Sequence, residues 1–169
     1  MKKTVIIQGS SKSNGNTKKV IDYLNINNDF DIIDLKTKNI GGFEYDFSNS
    51  EDDFIPLMED IINKYDTIIF ATPVYWYSMS GTLKNFFDRM SDLLHYKKEL
   101  GRKLRGKNMA MISNSGINDL KNGFEMPFIE SANYLGMNYL GSTHGWFTED
   151  GTQIHPETKN KIDSFRKLF

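Results

Sequence analysis

Apolar positions along the chain alternate between short unbroken runs and helically spaced ones. Runs at residues 4–8, 30–35, 67–71, 109–113 and 137–143 predict five strands. The third, Thr-Ile-Ile-Phe-Ala, carries no polar alternation and reads as a strand buried on both faces, as in a parallel sheet. Between the runs, apolar residues recur every three to four positions. Val20, Ile21 and Leu24 mark a first helix. Phe54, Leu57, Met58, Ile61, Ile62 and Tyr65 mark a second, with Asp52 or Asp53 as its cap and Pro56 in its first turn. Leu83, Phe86, Phe87, Met90, Leu93 and Leu94 predict one long third helix, opened by Ser80 or Thr82 as cap. Residues 124–135 form a fourth, and residues 158–169 close the chain with Ile162, Phe165 and Leu168 inward.

Five strand-then-helix units imply an α/β domain over residues 1–169, a doubly wound five-stranded parallel sheet with helices on both faces. Such sheets usually run 2-1-3-4-5, and ligands bind where the order reverses, beyond the C-terminal ends of strands one and three. The two most unusual loops follow those strands. No repeat or linker interrupts the chain, but the connection over residues 36–51 is long enough to be functional or mobile.

The first loop is Gly9-Ser10-Ser11-Lys12-Ser13-Asn14-Gly15-Asn16-Thr17 and opens directly into a helix. A helix N-terminus offers unpaired N–H groups and the positive end of the macrodipole to an anion. Ser10, Ser11, Asn16 and Thr17 add hydroxyl and amide donors suited to a phosphate. A Walker loop needs Lys directly after its last Gly, and a dinucleotide fingerprint needs three spaced glycines; neither is met. Ser/Asn/Gly loops before a helix are also ordinary surface turns. The second loop, Thr72-Pro73-Val74-Tyr75-Trp76-Tyr77-Ser78-Met79-Ser80-Gly81-Thr82-Leu83-Lys84, sets three aromatics in a row where a turn is normally polar. It reads as a wall for a planar apolar ring or as packing at the top of the sheet or in a subunit contact.

Composition narrows the chemistry. The 169 residues contain no cysteine, which removes disulfides, thiolate nucleophiles and sulfur-ligated metal centres. A net charge of −1 argues against a nucleic-acid partner and against a strongly acidic electron shuttle. The N-terminal apolar run is too short for a signal peptide or membrane span, so a cytoplasmic location is expected. His95, His144 and His155 show no metal spacing and read as solvated or capping. His144 also lies on the site side of the sheet, where it could reach a substrate. Residues 97–107, rich in Lys and Arg, read as a solvated connection, and Asp88-Arg89 reads as structural.

The segment from Thr72 to Arg89 resembles the flavin loop and following helix of the NADPH-dependent FMN reductase family. Gly9-Ser10-Ser11 with Gly15-Asn16-Thr17 is similar to that family's phosphate loop, and Ser113-Asn114-Ser115-Gly116 to its third flavin contact. The resemblance spans roughly residues 1–145. It implies a flavodoxin-like fold and FMN as cofactor, with NADH or NADPH as co-substrate and a small-molecule acceptor. It implies that Ser10, Lys12, Asn16 and Thr17, beside Ser11, hold the FMN phosphate. Pro73, Val74, Tyr75 and Trp76 would line the ring, with Ser113, Asn114, Ser115 and Gly116 on its other side. Homodimers with flavin sites near the interface are common in the family.

The chain also resembles the iron–sulfur flavoproteins, which carry a cysteine cluster where this sequence has residues 39–53 without one. A single redox centre and no metal are therefore expected. Alternating Phe43, Tyr45 and Phe47 suit a surface covering a partner subunit, against the alternative of a floppy excursion. Because the flavin carries the hydride, no catalytic acid or base is required of the protein. A flavodoxin-type electron carrier is the alternative function. A phosphorelay receiver is excluded, because Gln8-Gly9 and Ala71-Thr72-Pro73 stand where acidic residues are needed.

Overall fold

The computed structural model describes residues 3–169. β1 (Thr4–Gln8), β2 (Asp31–Asp34), β3 (Thr67–Pro73), β4 (Asn108–Asn114) and β5 (Asn138–Gly145) form one parallel sheet in the order β2-β1-β3-β4-β5. Strand alternation divides the core in two, because successive side chains point to opposite faces. Val5, Ile7, Ile68, Phe70, Met109 and Met111 face one layer of helices: α2 (Phe54–Lys64), α3 (Gly81–Asp88), α4 (Met90–His95) and α6 (Met126–Leu135). Ile6, Ile69, Ala71, Ala110 and Ile112 face α1 (Asn16–Leu24) and α7 (Pro156–Arg166) on the other side. This is the flavodoxin-like architecture expected of five β-then-α units.

Three local expectations are corrected. The long third helix is two, α3 and α4, separated at Arg89. The backbone there stays helical (φ −68°, ψ −13°), but the ladder tightens and Asp92 N–H bonds the Arg89 carbonyl three residues back at 2.9 Å. Arg89 is 1% exposed, and its guanidinium forms ion pairs with both Asp52 and Asp92 (2.8 Å to Asp92). The basic stretch is not a plain connection, since α5 (Lys98–Arg102) lies within it. Leu168 does not point inward; it lies beyond α7 and stays 47% exposed, while Ile162 and Phe165 are buried.

The same arginine settles the long connection. Arg89 donates to the carbonyls of Gly41 and Asn49, both at 3.1 Å, and Asn85 donates to those of Ile40 and Gly41. Asp52 accepts from the N–H groups of Gly41 and Phe54, and Asp53 from that of Asn39. The side chain at the start of α2 is thus Asp52, with Asp53 turned to the loop. Burial opposes the charge on Asp52, but the hydrogen bonds from Arg89, Phe54 and Gly41 outweigh it and hold the carboxyl below its ordinary range. Phe47 stacks on Tyr96 with ring centroids 5.6 Å apart. The segment is tied to its own chain and is no floppy excursion. Tyr45 alone of its aromatics projects, 91% exposed.

Candidate cofactor site

Three loops meet at the C-terminal end of the sheet, and backbone hydrogen bonds carry the strand ladder into each. Gly9 N–H bonds the Ala71 carbonyl (2.8 Å), Val74 N–H that of Asn114 (2.8 Å), and Ser115 N–H that of Gly145 (3.1 Å). Ser80 joins two of them. Its hydroxyl caps α3 by accepting from Leu83 N–H (3.1 Å) and donates to the Gly9 carbonyl, while its own N–H bonds the Thr72 hydroxyl (3.0 Å). Gly9 is required by this close approach, since a Cβ there would lie 2.5 Å from Leu83 Cβ. Gly9→Ala is expected to cost about 1–3 kcal/mol of overpacking strain, read as a lower midpoint in urea unfolding with an unchanged slope.

The first loop is shaped from below by Gln8, fully buried, whose amide donates to the Ser13 carbonyl at 2.9 Å. Above it α1 starts at Asn16, with Gly15 at the cap position, no side-chain cap and no acidic residue in its first turn. Its N–H groups and the helix dipole therefore face a cavity of about 490 Å³. Ser10, Lys12, Asn14, Gly15, Asn16, Thr17 and Lys19 line it from this side. Pro73, Val74 and Tyr75 line it from the second loop, and Asn114, Ser115 and Gly116 from the third.

A model of the family described as NADPH-dependent FMN reductase matches residues 2–150. The chain belongs to this family.

As a member, it is an NAD(P)H-dependent flavin oxidoreductase with FMN as cofactor. It is 30% identical over 157 residues to a Bacillus subtilis (strain 168) protein named "Putative NAD(P)H-dependent FMN-containing oxidoreductase YwqN", covering 85% of this chain and 84% of that protein. An iron–sulfur flavoprotein of Clostridioides difficile (strain 630) is 31% identical over 110 residues, 55% of this chain and 49% of that protein. Among solved structures, the Trp repressor binding protein from Bacillus subtilis superposes with a TM-score of 0.76 at 25% identity, over 99% of this chain and 97% of that one.

The donor set fits an FMN. Ser10 and Thr17 are buried hydroxyls at a helix N-terminus, and Lys12 and Lys19 make no ion pair among the described residues. Asn114 Oδ1 is buried without a hydrogen-bond partner, an acceptor aimed at nothing in the chain itself. The volume lies in the range of ordinary ligand pockets.

Three of the thirteen residues singled out from sequence do not line this cavity. The Ser11 hydroxyl pairs with the Tyr75 hydroxyl at 3.1 Å, bracing the two loops against each other. Trp76 projects into solvent, 93% exposed. Ser113 is fully buried and bonds His144 Nδ1 at 2.9 Å. Sequence reasoning did not assign Asn14, Gly15 and Lys19; the first two stood inside the quoted loop, and Lys19 lies two residues beyond it on α1. His144, placed on the site side of the sheet from sequence, does not line this cavity either. Its Nε2 meets the Ser115 hydroxyl at 3.1 Å, so it supports the third loop from beneath. Its stack continues through Trp146 to His155, whose ring caps α7 by accepting from Glu157 N–H. His95 is exposed at the end of α4.

Proposed function

We propose that the 490 Å³ cavity is the FMN site and that the protein transfers two electrons from NADH or NADPH to a small organic acceptor. The observation that carries this reading is the uncapped start of α1, flanked by Ser10, Thr17, Lys12 and Lys19, on the same cavity as Pro73, Val74 and Tyr75. The α1 end, with Ser10, Lys12, Asn16 and Thr17, neutralises and hydrogen-bonds the phosphate. Val74 and Tyr75 flank the ring on one side, and Ser115 and Gly116 approach it on the other. Bound FMN supplies the hydride chemistry. The chain's part is to hold the ring, exclude water over part of it and present N–H dipoles to the charge that develops there. Overall, one NAD(P)H, one proton and one quinone give NAD(P)+ and one hydroquinone.

Membership supports a homodimer with FMN as the single redox centre of each subunit. The projecting Tyr45, paired with Phe43 at 5.1 Å, is the exposed aromatic that residues 36–53 offer a partner. No helix among the described residues is long and apolar enough to cross a membrane, and a cytoplasmic place is part of the same proposal.

The test is spectroscopic. Protein reconstituted with FMN should be yellow and release FMN, not FAD, on acid precipitation. NADH or NADPH under argon should bleach it, and a small acceptor should restore the colour. A protein that binds FMN but is bleached by neither nicotinamide is a carrier instead. Thr17→Ala and Ser10→Ala should each weaken FMN binding by about 1.5–3 kcal/mol, roughly ten- to hundred-fold in Kd, with unfolding midpoints little changed. Wild-type affinity in both, by flavin fluorescence titration, places the phosphate elsewhere.

A further inference from the structure

The first loop ends in an Asn-Gly pair, Asn14-Gly15, directly before α1; the chain has one other, Asn122-Gly123. Asparagine is a thermolabile residue, and glycine after it leaves the backbone nitrogen unshielded and free to turn towards the side chain. Asn14 is exposed and lies in the turn that closes the loop. The side-chain hydrogen bonds of the loop run elsewhere. Gln8 donates to the carbonyls of Lys12 and Ser13, the Lys12 N–H donates to the Ser10 hydroxyl, and the Ser11 hydroxyl pairs with that of Tyr75. None of them holds the Asn14 amide. The positive end of the α1 dipole lies at the Gly15 nitrogen and favours its deprotonated, attacking form.

Asn14 and Gly15 also line the cofactor cavity, with Ser10, Lys12, Thr17 and Lys19. A carboxylate at position 14 would stand beside the uncapped N–H groups of α1 and near Lys12, whose side chain packs against Gly15. It would occupy the donors and the positive charge that the FMN phosphate needs.

From this placement, and resting on the FMN reading above, we infer that Asn14 is a deamidation site that disables the phosphate loop in FMN-free protein, and that bound FMN protects it. The Gly15 nitrogen forms a bond to Asn14 Cγ, and the Cγ–Nδ2 bond breaks. Nδ2 leaves as ammonia, carrying the proton that the Gly15 N–H gave up. Water then opens the succinimide. Addition at Cγ leaves aspartate, and addition at the main-chain carbonyl leaves isoaspartate, with the chain running through Cγ. One water is consumed, one ammonia is released, and nothing is oxidised or reduced. Either product adds a negative charge beside the phosphate. Bound phosphate blocks the first step, because it bonds the start of α1 and holds the Gly15 nitrogen away from Cγ.

The test incubates the protein with and without FMN in mildly alkaline buffer and follows both Asn-Gly pairs by peptide mass spectrometry. Asn122 is exposed and does not line the cofactor cavity, so it reports the unprotected chemistry in both samples. Asn14 should convert in FMN-free protein and at least tenfold more slowly in FMN-loaded protein, while Asn122 converts alike in both. FMN affinity of the FMN-free sample should fall in step with conversion at residue 14. Asn14→Gln, whose longer side chain closes a ring far more slowly, should keep its own FMN affinity constant through the same incubation. Asn14→Asp should weaken FMN at least tenfold in Kd. The melting temperature of FMN-free Asn14→Asp should stay level or rise, because a carboxylate beside the positive end of the dipole stabilises α1. A structural lesion would lower both. Intact Asn14 in FMN-free protein after Asn122 has converted overturns the site. Wild-type FMN affinity in Asn14→Asp overturns the disabling effect. Equal conversion of Asn14 in both samples, where the visible spectrum shows bound FMN, overturns the protection. A spectrum without bound FMN sinks the cofactor reading instead, and Asn14 against Asn122 in FMN-free protein still decides the modification.

Discussion

Replacing Arg89 with Met should lower stability by about 3–5 kcal/mol, a fall of roughly 6–20 °C in melting temperature for a domain of this size. The guanidinium lies between two carboxylates that are themselves almost fully buried, at 9% and 2% side-chain exposure. Removing it leaves two uncompensated negative charges in a poor dielectric. It also frees the carbonyls of Gly41 and Asn49. The Arg89→Met deficit should depend on pH in a defined direction. In wild type the lowered pKa of Asp52 contributes stability that is present above the ordinary carboxylate range, about 4, and is lost as pH falls through it. Without Arg89, Asp52 keeps the burial that raises its pKa and loses the guanidinium that lowers it, so part of that contribution is missing from the variant. The gap between wild type and variant should therefore be wider at pH 7 than at pH 3. Amide hydrogen exchange should locate the damage in residues 39–53 and leave β1 and β3 protected. A melting temperature within 2 °C of wild type, or a gap that narrows with rising pH, would show that the ion triad is not what holds the loop.

What could be read from the sequence, and what could not, divides along the range of the interactions. β3 and β4 are apolar without alternation because both faces are covered, so periodicity finds them directly. The order of the strands follows from the strand-helix alternation and places the two odd loops together. Ser10, Lys12, Asn16, Thr17, Pro73, Val74, Tyr75, Asn114, Ser115 and Gly116 could therefore be chosen before any coordinates, and they line one cavity. Arg89 could not be understood that way. Its partner Asp52 is 37 residues distant, and nothing in local pattern says that a charged side chain will leave the surface. The same blindness produced one long third helix, because the apolar spacing continues through residue 89 while the arginine turns inward. Trp76 is a third kind of case: the aromatic run was visible, but the left-handed turn that swings its ring away from the cofactor cavity was not.

Replacing His144 with Leu should cost about 1–3 kcal/mol of stability, weaken FMN binding and change the acid limb of the stability profile. His144 is buried at the C-terminal end of β5 and meets two hydroxyls, Ser113 through Nδ1 and Ser115 through Nε2. Leucine leaves the fully buried Ser113 hydroxyl without this partner and removes the support under Ser115, which with Gly116 borders the cofactor cavity. The wild-type imidazole is pushed below its ordinary value of about 6.5 by burial; the Ile117 carbonyl opposes that shift, and the smaller effects of Lys161 on α7, which lowers it further, and of Asp119, which raises it, come after. The unfolded chain therefore binds this proton more readily than the folded one. Above the unfolded value the site costs nothing. Stability should start to fall as pH drops below about 6.5, and the loss is complete once pH lies under the depressed folded-state value. His144→Leu removes that titration, so its stability deficit should shrink between pH 7.5 and pH 5. His144→Gln, which keeps a donor and an acceptor near the two serines, should recover part of the FMN affinity while also lacking the pH dependence. Urea unfolding and flavin fluorescence titration at the two pH values read both effects. A leucine variant with wild-type FMN affinity and an undiminished acid limb would mean that the histidine is packing alone and that the third loop holds its shape without it.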